Sequence, residues 1–332
     1  NRPKLSIPKN KVIKATNELG FHENLAPLKN LYDQGYVSII NNVGYPNPNR
    51  SHFRSTDIWQ TASNSDEYLN SGWVGRFIEK YGKNPYTGIE LDDSLSLIMK
   101  GENVNGIATK NPNILFANTN TAYFKKVLEQ QTDAHLSEHN LGYLYKTMIE
   151  AKSSAKYIYE TSKTYKTDLE YPNNPFGNQL KTTAEFINSD LDSKVYYVSM
   201  GGFDTHANQA NKQSKLLKTY SESVEVFVND LKKNDTFKDT LILTFSEFGR
   251  RVQQNAAGGT DHGAANNVFL IGENLKKKGF YNNAPDLVNL DSNGDLIHTV
   301  DFRSVYATIL DKWLQVDDAS ILNKSFSKLD FI

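Results

Sequence analysis

The chain has 332 residues, 38% of them hydrophobic, 23% charged and 11% aromatic, a globular balance that excludes intrinsic disorder as its resting condition. Its 37 basic and 38 acidic side chains leave a formal net charge of −1, so no overall field draws it to nucleic acid or to anionic lipid. The absence of cysteine rules out disulfides, thiolate metal sites and cysteine nucleophiles.

No apolar run approaches the roughly 20 residues of a bilayer span, so no membrane-spanning segment is expected. The first residue is Asn1 rather than Met, and further sequence is expected upstream. A helix is predicted over Leu25 to Gln34. The run Val37 to Val43 follows, apolar nearly throughout as a strand buried on both faces should be. It leads through Gly44, Tyr45, Pro46, Asn47, Pro48, Asn49, Arg50, Ser51, His52 and Phe53 into an amphipathic helix predicted over His52 to Ala62. Ser51 falls at the start of that helix, where free amides and the helix dipole favour an anion or an activated alkoxide. A serine there also serves as an ordinary N-cap.

A helix over Val74 to Tyr81 and a second strand over Leu95 to Met99 come next. Residues of about 102 to 192 read as a mainly helical insertion, with helices over Leu141 to Tyr165 and Phe176 to Leu191. The stretch Tyr171 to Asn178 is a loop or helix boundary within it. His135 and His139, four apart on a helical pattern, permit a two-histidine site, but their polar surroundings read as a solvated face.

The third strand, Val195 to Met200, ends in Gly201-Gly202-Phe203-Asp204-Thr205-His206. An Asp and a His two positions apart beyond a strand can reach one cation, with a hard oxygen and an imidazole nitrogen. The alternative is Asp204 as a turn cap and His206 at the surface. After a helix over Lys212 to Lys233, the fourth strand, Leu241 to Phe245, runs into Ser246-Glu247-Phe248-Gly249-Arg250-Arg251. Glu247 can act as a base or ligand and Arg250 can clamp an oxyanion; the alternative is a structural Glu–Arg pair. In Gly258-Gly259-Thr260-Asp261-His262-Gly263 the glycines would let the backbone pack closely, with Asp261 orienting His262; the alternative is a polar glycine loop. A fifth strand, Val268 to Ile271, precedes a helix capped by Asp301 with Phe302, Val305, Tyr306, Ile309, Leu310 and Trp313 on one face.

This alternation predicts one α/β domain over residues 1–332 with a mostly parallel sheet flanked by helices and ligands near the carboxyl ends of its strands. The runs ending at Met99, Met200 and Phe245 should be adjacent, parallel and buried. Trp59, Trp73 and Trp313 should lie in the core. Arg250 and Ser51 should face the same cleft as Asp204, and Asp204, His206 and His262 should converge.

Arg50-Ser51-His52-Phe53, Gly72-Trp73-Val74-Gly75-Arg76, the segment Gly201 to His206, Ser246 to Arg250, and Gly259 to Gly263 together resemble the bacterial family called domain of unknown function 1501 (DUF1501), in the right order and across essentially the whole chain. That family is itself similar to the alkaline phosphatase and sulfatase superfamily. The resemblance implies an alkaline-phosphatase-like fold and metal-dependent hydrolysis of phosphate or sulfate esters, with a small-molecule or glycan ester as substrate. It implies that Asp204, His206 and His262 are metal ligands, with zinc or manganese as the metal. It places Ser51 at the nucleophile position; with the residue readings above, Glu247 and Arg250 join Ser51 as expected catalytic residues, and Asp261, Ser246 and His52 are expected behind the ligands. Ser246 and Glu247 stand where phosphatases carry an Asp-His pair, a departure that puts a second zinc in question. Relatives begin with a strand ending in a glycine-rich, Asp-containing motif, and residues 1–332 are expected to start after it, without one ligand and with the site left empty of metal. Relatives also carry an export signal, which implies a periplasmic or cell-surface protein. A non-catalytic descendant that uses the fold for binding is the second expectation.

Overall fold

Val37–Gly44 forms a strand with every residue buried, Ser38, Asn41 and Asn42 included. Val300–Asp301 and Gly279–Phe280 pair with it in parallel, and Asn266–Gly272 pairs with it antiparallel. Leu241–Thr244 then pairs antiparallel with Asn266–Gly272. The expected mostly parallel sheet is therefore mixed, with Asn266–Gly272 running against the other four strands. A parallel return needs a crossover, usually a helix, and no helix occurs between Thr244 and Asn266, so the chain doubles back. The four residues Leu241–Thr244 are partly exposed rather than buried on both faces.

The computed structural model describes residues 1–130 and 139–332. It divides into two compact units, the first comprising Asn1–Tyr68, Glu170–Gly177 and Met200–Ile332, the second Leu69–Leu169 and Asn178–Ser199. The five-stranded sheet belongs to the first. There Trp59, on the helix His52–Thr61, stacks on Phe245 with ring centroids 5.2 Å apart and on Phe302 at 4.3 Å. Trp59 and Trp73 are buried, whereas Trp313 is only partly so.

In the second unit, Gly88–Glu90 pairs in parallel with both Ile107–Ala108 and Val195–Tyr197. Ile89, Leu91, Ile107, Ile158, Phe186 and Leu191 form its core. The helices Trp73–Tyr81, Pro112–Thr119, Ala122–Glu129 and His139–Thr161 lie in this unit. His135, one half of the suggested histidine pair, lies outside the described residues.

The run Leu95 to Met99 is not a strand. Leu97–Met99 is a 3-10 turn with Ile98 and Met99 buried, preceded by Ser96, whose amide donates to the buried Glu90 carboxylate at 2.8 Å. A short apolar run has no periodicity that separates strand from buried turn, and here burial won without the ladder. The three runs expected side by side are thus a turn, a strand of the second unit's sheet and a strand of the first unit's sheet.

The mixed direction of the first sheet positions the site. Val37–Gly44 and Leu241–Thr244 run the same way, so the segments after them, carrying His52 and Glu247, leave from one edge. Asn266–Gly272 runs against them, so the segment before it, carrying His262, arrives at that same edge. A bulge marks the approach: Ile40 faces Val268 and Val43 faces Asn266, and Asn42 absorbs the extra residue at φ 54°.

Candidate metal centre

Asp204 is the hub of a cluster contained in the first unit. His206 Nε2 lies 2.9 Å and His262 Nε2 3.1 Å from its Oδ1, and His52 Nε2 lies 3.4 Å from its Oδ2. The His206 and His262 Nε2 atoms are 3.0 Å apart. His52, Asp204 and His262 present ligand atoms within 4.8 Å of one another and could hold a metal ion.

Each imidazole is oriented from its other nitrogen. His52 Nδ1 is 2.7 Å from Glu247 Oε1, His206 Nδ1 is 2.9 Å from Asp261 Oδ1, and His262 Nδ1 is 2.7 Å from the carbonyl oxygen of Arg50. A carbonyl or carboxylate oxygen only accepts, so all three Nδ1 atoms carry the proton. In the neutral rings the three Nε2 lone pairs therefore point toward Asp204, and two of them face each other at 3.0 Å. Lone pairs at that distance repel unless a proton or a cation lies between them. Donors bound at roughly 2.0–2.1 Å around a tetrahedral ion stand about 3.3 Å apart; the three imidazoles lie 2.9 to 3.4 Å from Asp204, His206 and His262 are 3.0 Å apart, and His52, Asp204 and His262 as a group lie within 4.8 Å. The spacing of His52, Asp204 and His262 is compatible with a bound metal ion.

Local backbone explains the convergence. A Cβ on Gly259 would stand 2.3 Å from the carbonyl carbon of His206, so only glycine lets the Gly258 to His262 loop lie against the Asp204–His206 segment. Arg250 and His262 form an isolated antiparallel bridge. In such extended chain, neighbouring side chains point apart. Asp261, expected to orient His262, accordingly bonds His206 instead, and the Arg50 carbonyl orients His262. Phe248 packs its ring 4.8 Å from His52 and 4.6 Å from His262.

Arg250 is committed to the scaffold. Its Nη1 donates to the Thr260 carbonyl at 2.9 Å, and its Nη2 to the Phe203 carbonyl at 2.9 Å and to Asp204 Oδ1 at 2.6 Å. The guanidinium ties together the two loops that carry the ligands, which leaves it ill placed to clamp an oxyanion. Burial pushes the Asp204 carboxyl up, but the hydrogen bond and the charge of Arg250, joined by His262 and His206 when those rings are protonated, outweigh it and hold the group well below the usual carboxylate range. The side chains of Asp204 and His206 are 46% and 45% exposed, so a solute can reach them.

The structure thus brings Asp204, His206 and His262 together, adds His52 to the inner group rather than behind it, and places Glu247 as the orienting partner of His52. Ser246 Oγ bonds Glu247 Oε2 at 3.2 Å. Ser51 is the N-cap residue of His52–Thr61, exposed, with no capping bond from its side chain. Asn255 was not legible from the sequence: it donates to Asp261 Oδ1 at 3.1 Å and to the His206 carbonyl at 3.0 Å, and nothing but its closeness to Gly258 and Gly259 marked it.

A family model described as a protein of unknown function (DUF1501) matches residues 36–324. No curated protein and no solved structure matches the chain.

Proposed function

We propose that this chain, which belongs to the DUF1501 family, is a metal-dependent hydrolase of phosphate or sulfate esters. One observation carries the reading: three imidazoles, each with Nδ1 held by an acceptor, turn their Nε2 lone pairs on one carboxylate at a solvent-accessible surface. Imidazole nitrogens with a single carboxylate suit zinc or manganese, whereas calcium favours an all-oxygen shell. Asp204, His206, His262 and His52 would hold the ion, which when bound would polarise an ester oxygen or acidify water. Glu247 keeps His52 in the correct tautomer, as Asp261 does for His206. Ser51, next in sequence to His52 and without a capping bond, offers a hydroxyl at a helix start where amides favour negative charge. The likeness to the alkaline phosphatase and sulfatase superfamily and an alkaline-phosphatase-like fold are part of this proposal. So are a small-molecule or glycan ester as substrate and a periplasmic or cell-surface location. Among the described residues no helix is long and apolar enough to cross a membrane.

The test is metal analysis of the protein as purified, followed by cleavage of chromogenic aryl phosphates and sulfates. Cleavage lost to a chelator and restored by zinc or manganese is the expected result. Failure to bind any divalent metal overturns the reading. A second reading, a binding protein without catalysis, is favoured by the commitment of Arg250 to Asp204 and two carbonyls, which leaves an ester without its expected cationic clamp. Metal retained without cleavage of any ester would select it.

A further inference from the structure

His262 takes its orientation from a backbone carbonyl outside any sheet ladder. The Arg50 oxygen that accepts from its Nδ1 belongs to the segment between Val37–Gly44 and His52–Thr61, where Pro46, Pro48 and Asn47 at φ 55° keep the chain irregular. A carbonyl in such a loop needs something to fix it, and the side chain of the same residue does so. Arg50 Nε donates to Asp295 Oδ2 at 2.8 Å, Nη2 reaches the same oxygen, and Nη2 also lies 3.5 Å from Asp291 Oδ2.

Asp295 is fully buried, and a buried carboxylate is costly unless it is paired. Its second oxygen lies 3.3 Å from Arg251 Nε. The turn that carries it is closed on itself: Asp291 Oδ1 accepts the amides of Asn293 at 2.8 Å and of Asp295 at 2.9 Å, and Gly294 sits at φ 78°. The turn therefore delivers one buried charge to the arginine whose carbonyl holds a ligand of the candidate centre.

We infer that Asp295 is a positioning residue for this centre: it holds Arg50 so that the Arg50 carbonyl keeps the proton on His262 Nδ1 and the Nε2 lone pair aimed at Asp204. The inference rests on the metal reading above for its purpose, though its geometry stands apart from it. Asp295→Asn keeps the shape of the side chain and removes the charge. Arg50→Met keeps the carbonyl and removes the guanidinium.

The test measures the imidazole tautomers of the metal-free full chain by nitrogen-resolved NMR and zinc affinity by competition with a chelator. In the unsubstituted protein His262 should show a single tautomer with the proton on Nδ1. In Asp295→Asn it should show a mixture, with zinc affinity lowered by about 10- to 100-fold, the usual effect of disturbing an outer partner. A lower melting temperature with one unchanged tautomer and affinity within about twofold would make Asp295 a purely structural residue and overturn the inference. If Asp295→Asn fails to fold, Arg50→Met is read by the same two measurements. Should the unsubstituted protein bind no zinc, the metal reading falls, and the tautomer comparison alone decides the positioning role.

Discussion

Asp204 Oδ1 accepts from Arg250 and lies within 3.1 Å of the Nε2 atoms of His206 and His262, and this one oxygen links the scaffold to the donor set. Asp204→Asn should therefore weaken zinc binding by more than the roughly 100-fold ceiling of outer-partner changes, measured by chelator competition. Because the folded carboxyl sits below its ordinary range, its contribution to stability is present above the unfolded pKa and is lost as pH falls through that value toward the folded one. The Asn variant should accordingly lose its stability difference from the parent in acid. Arg250 fans planar donors over three acceptors, which a lysine ammonium cannot span. Arg250→Lys should lower unfolding stability by about 2 kcal/mol in a denaturant titration and weaken zinc binding with it, since both ligand loops are released.

The helix His52–Thr61 joins the site to the core within ten residues: His52 begins it, and Trp59, near its end, is stacked between Phe245 and Phe302. Trp59→Ala should cost about 3–5 kcal/mol, and Trp59→Phe should recover most of that by refilling the slot. Zinc affinity should follow the same order, because the helix start moves with its anchor. Gly259 makes the complementary case for a loop. Gly259→Ala places a methyl group against the His206 backbone and should cost about 1–3 kcal/mol, with a larger proportional loss of zinc affinity. Gly201→Ala, where an added Cβ meets nothing within 4 Å, should stay within about 0.5 kcal/mol of the parent.

Across the whole molecule, pH acts through groups of opposite sign. Glu90, buried in the second unit, has its carboxyl pushed up by burial, only partly opposed by the Ser96 hydrogen bonds. Its unfolded form ionises first, so its contribution favours folding below the unfolded pKa and declines as pH rises through the folded one. Glu90→Gln should be more stable than the parent at neutral pH in urea titrations, and the gain should vanish below about pH 4. A gain that persisted in acid would mean that the cost lies in packing rather than in charge. His298 is lowered by burial, so its contribution is present above the unfolded imidazole pKa and is lost as pH falls through it toward the folded value.

The sequence by itself determined the features that depend on neighbours along the chain. Val37–Gly44 begins in an apolar, β-branched run and is a buried strand; Asp301 caps the helix Phe302–Thr308 through a bond from the Arg303 amide; and Asp204, His206 and His262 were marked by glycine-containing motifs at segment ends, whereas His52 was expected behind them. Only the tertiary structure decided what depends on distant partners. Leu97–Met99 carries the same apolar code as a strand, and its burial as a turn depends on what packs around it. The direction of Asn266–Gly272 follows from the missing crossover helix, and that reversal brings the loop before one strand to the loops after two others. Arg250 reads as an anion clamp or, more readily, as a structural partner of Glu247 until the Phe203 and Thr260 carbonyls are seen to take its donors. Asp261 and His262 are adjacent in sequence, yet extended backbone sends them to different partners, His206 for the first and the Arg50 carbonyl for the second.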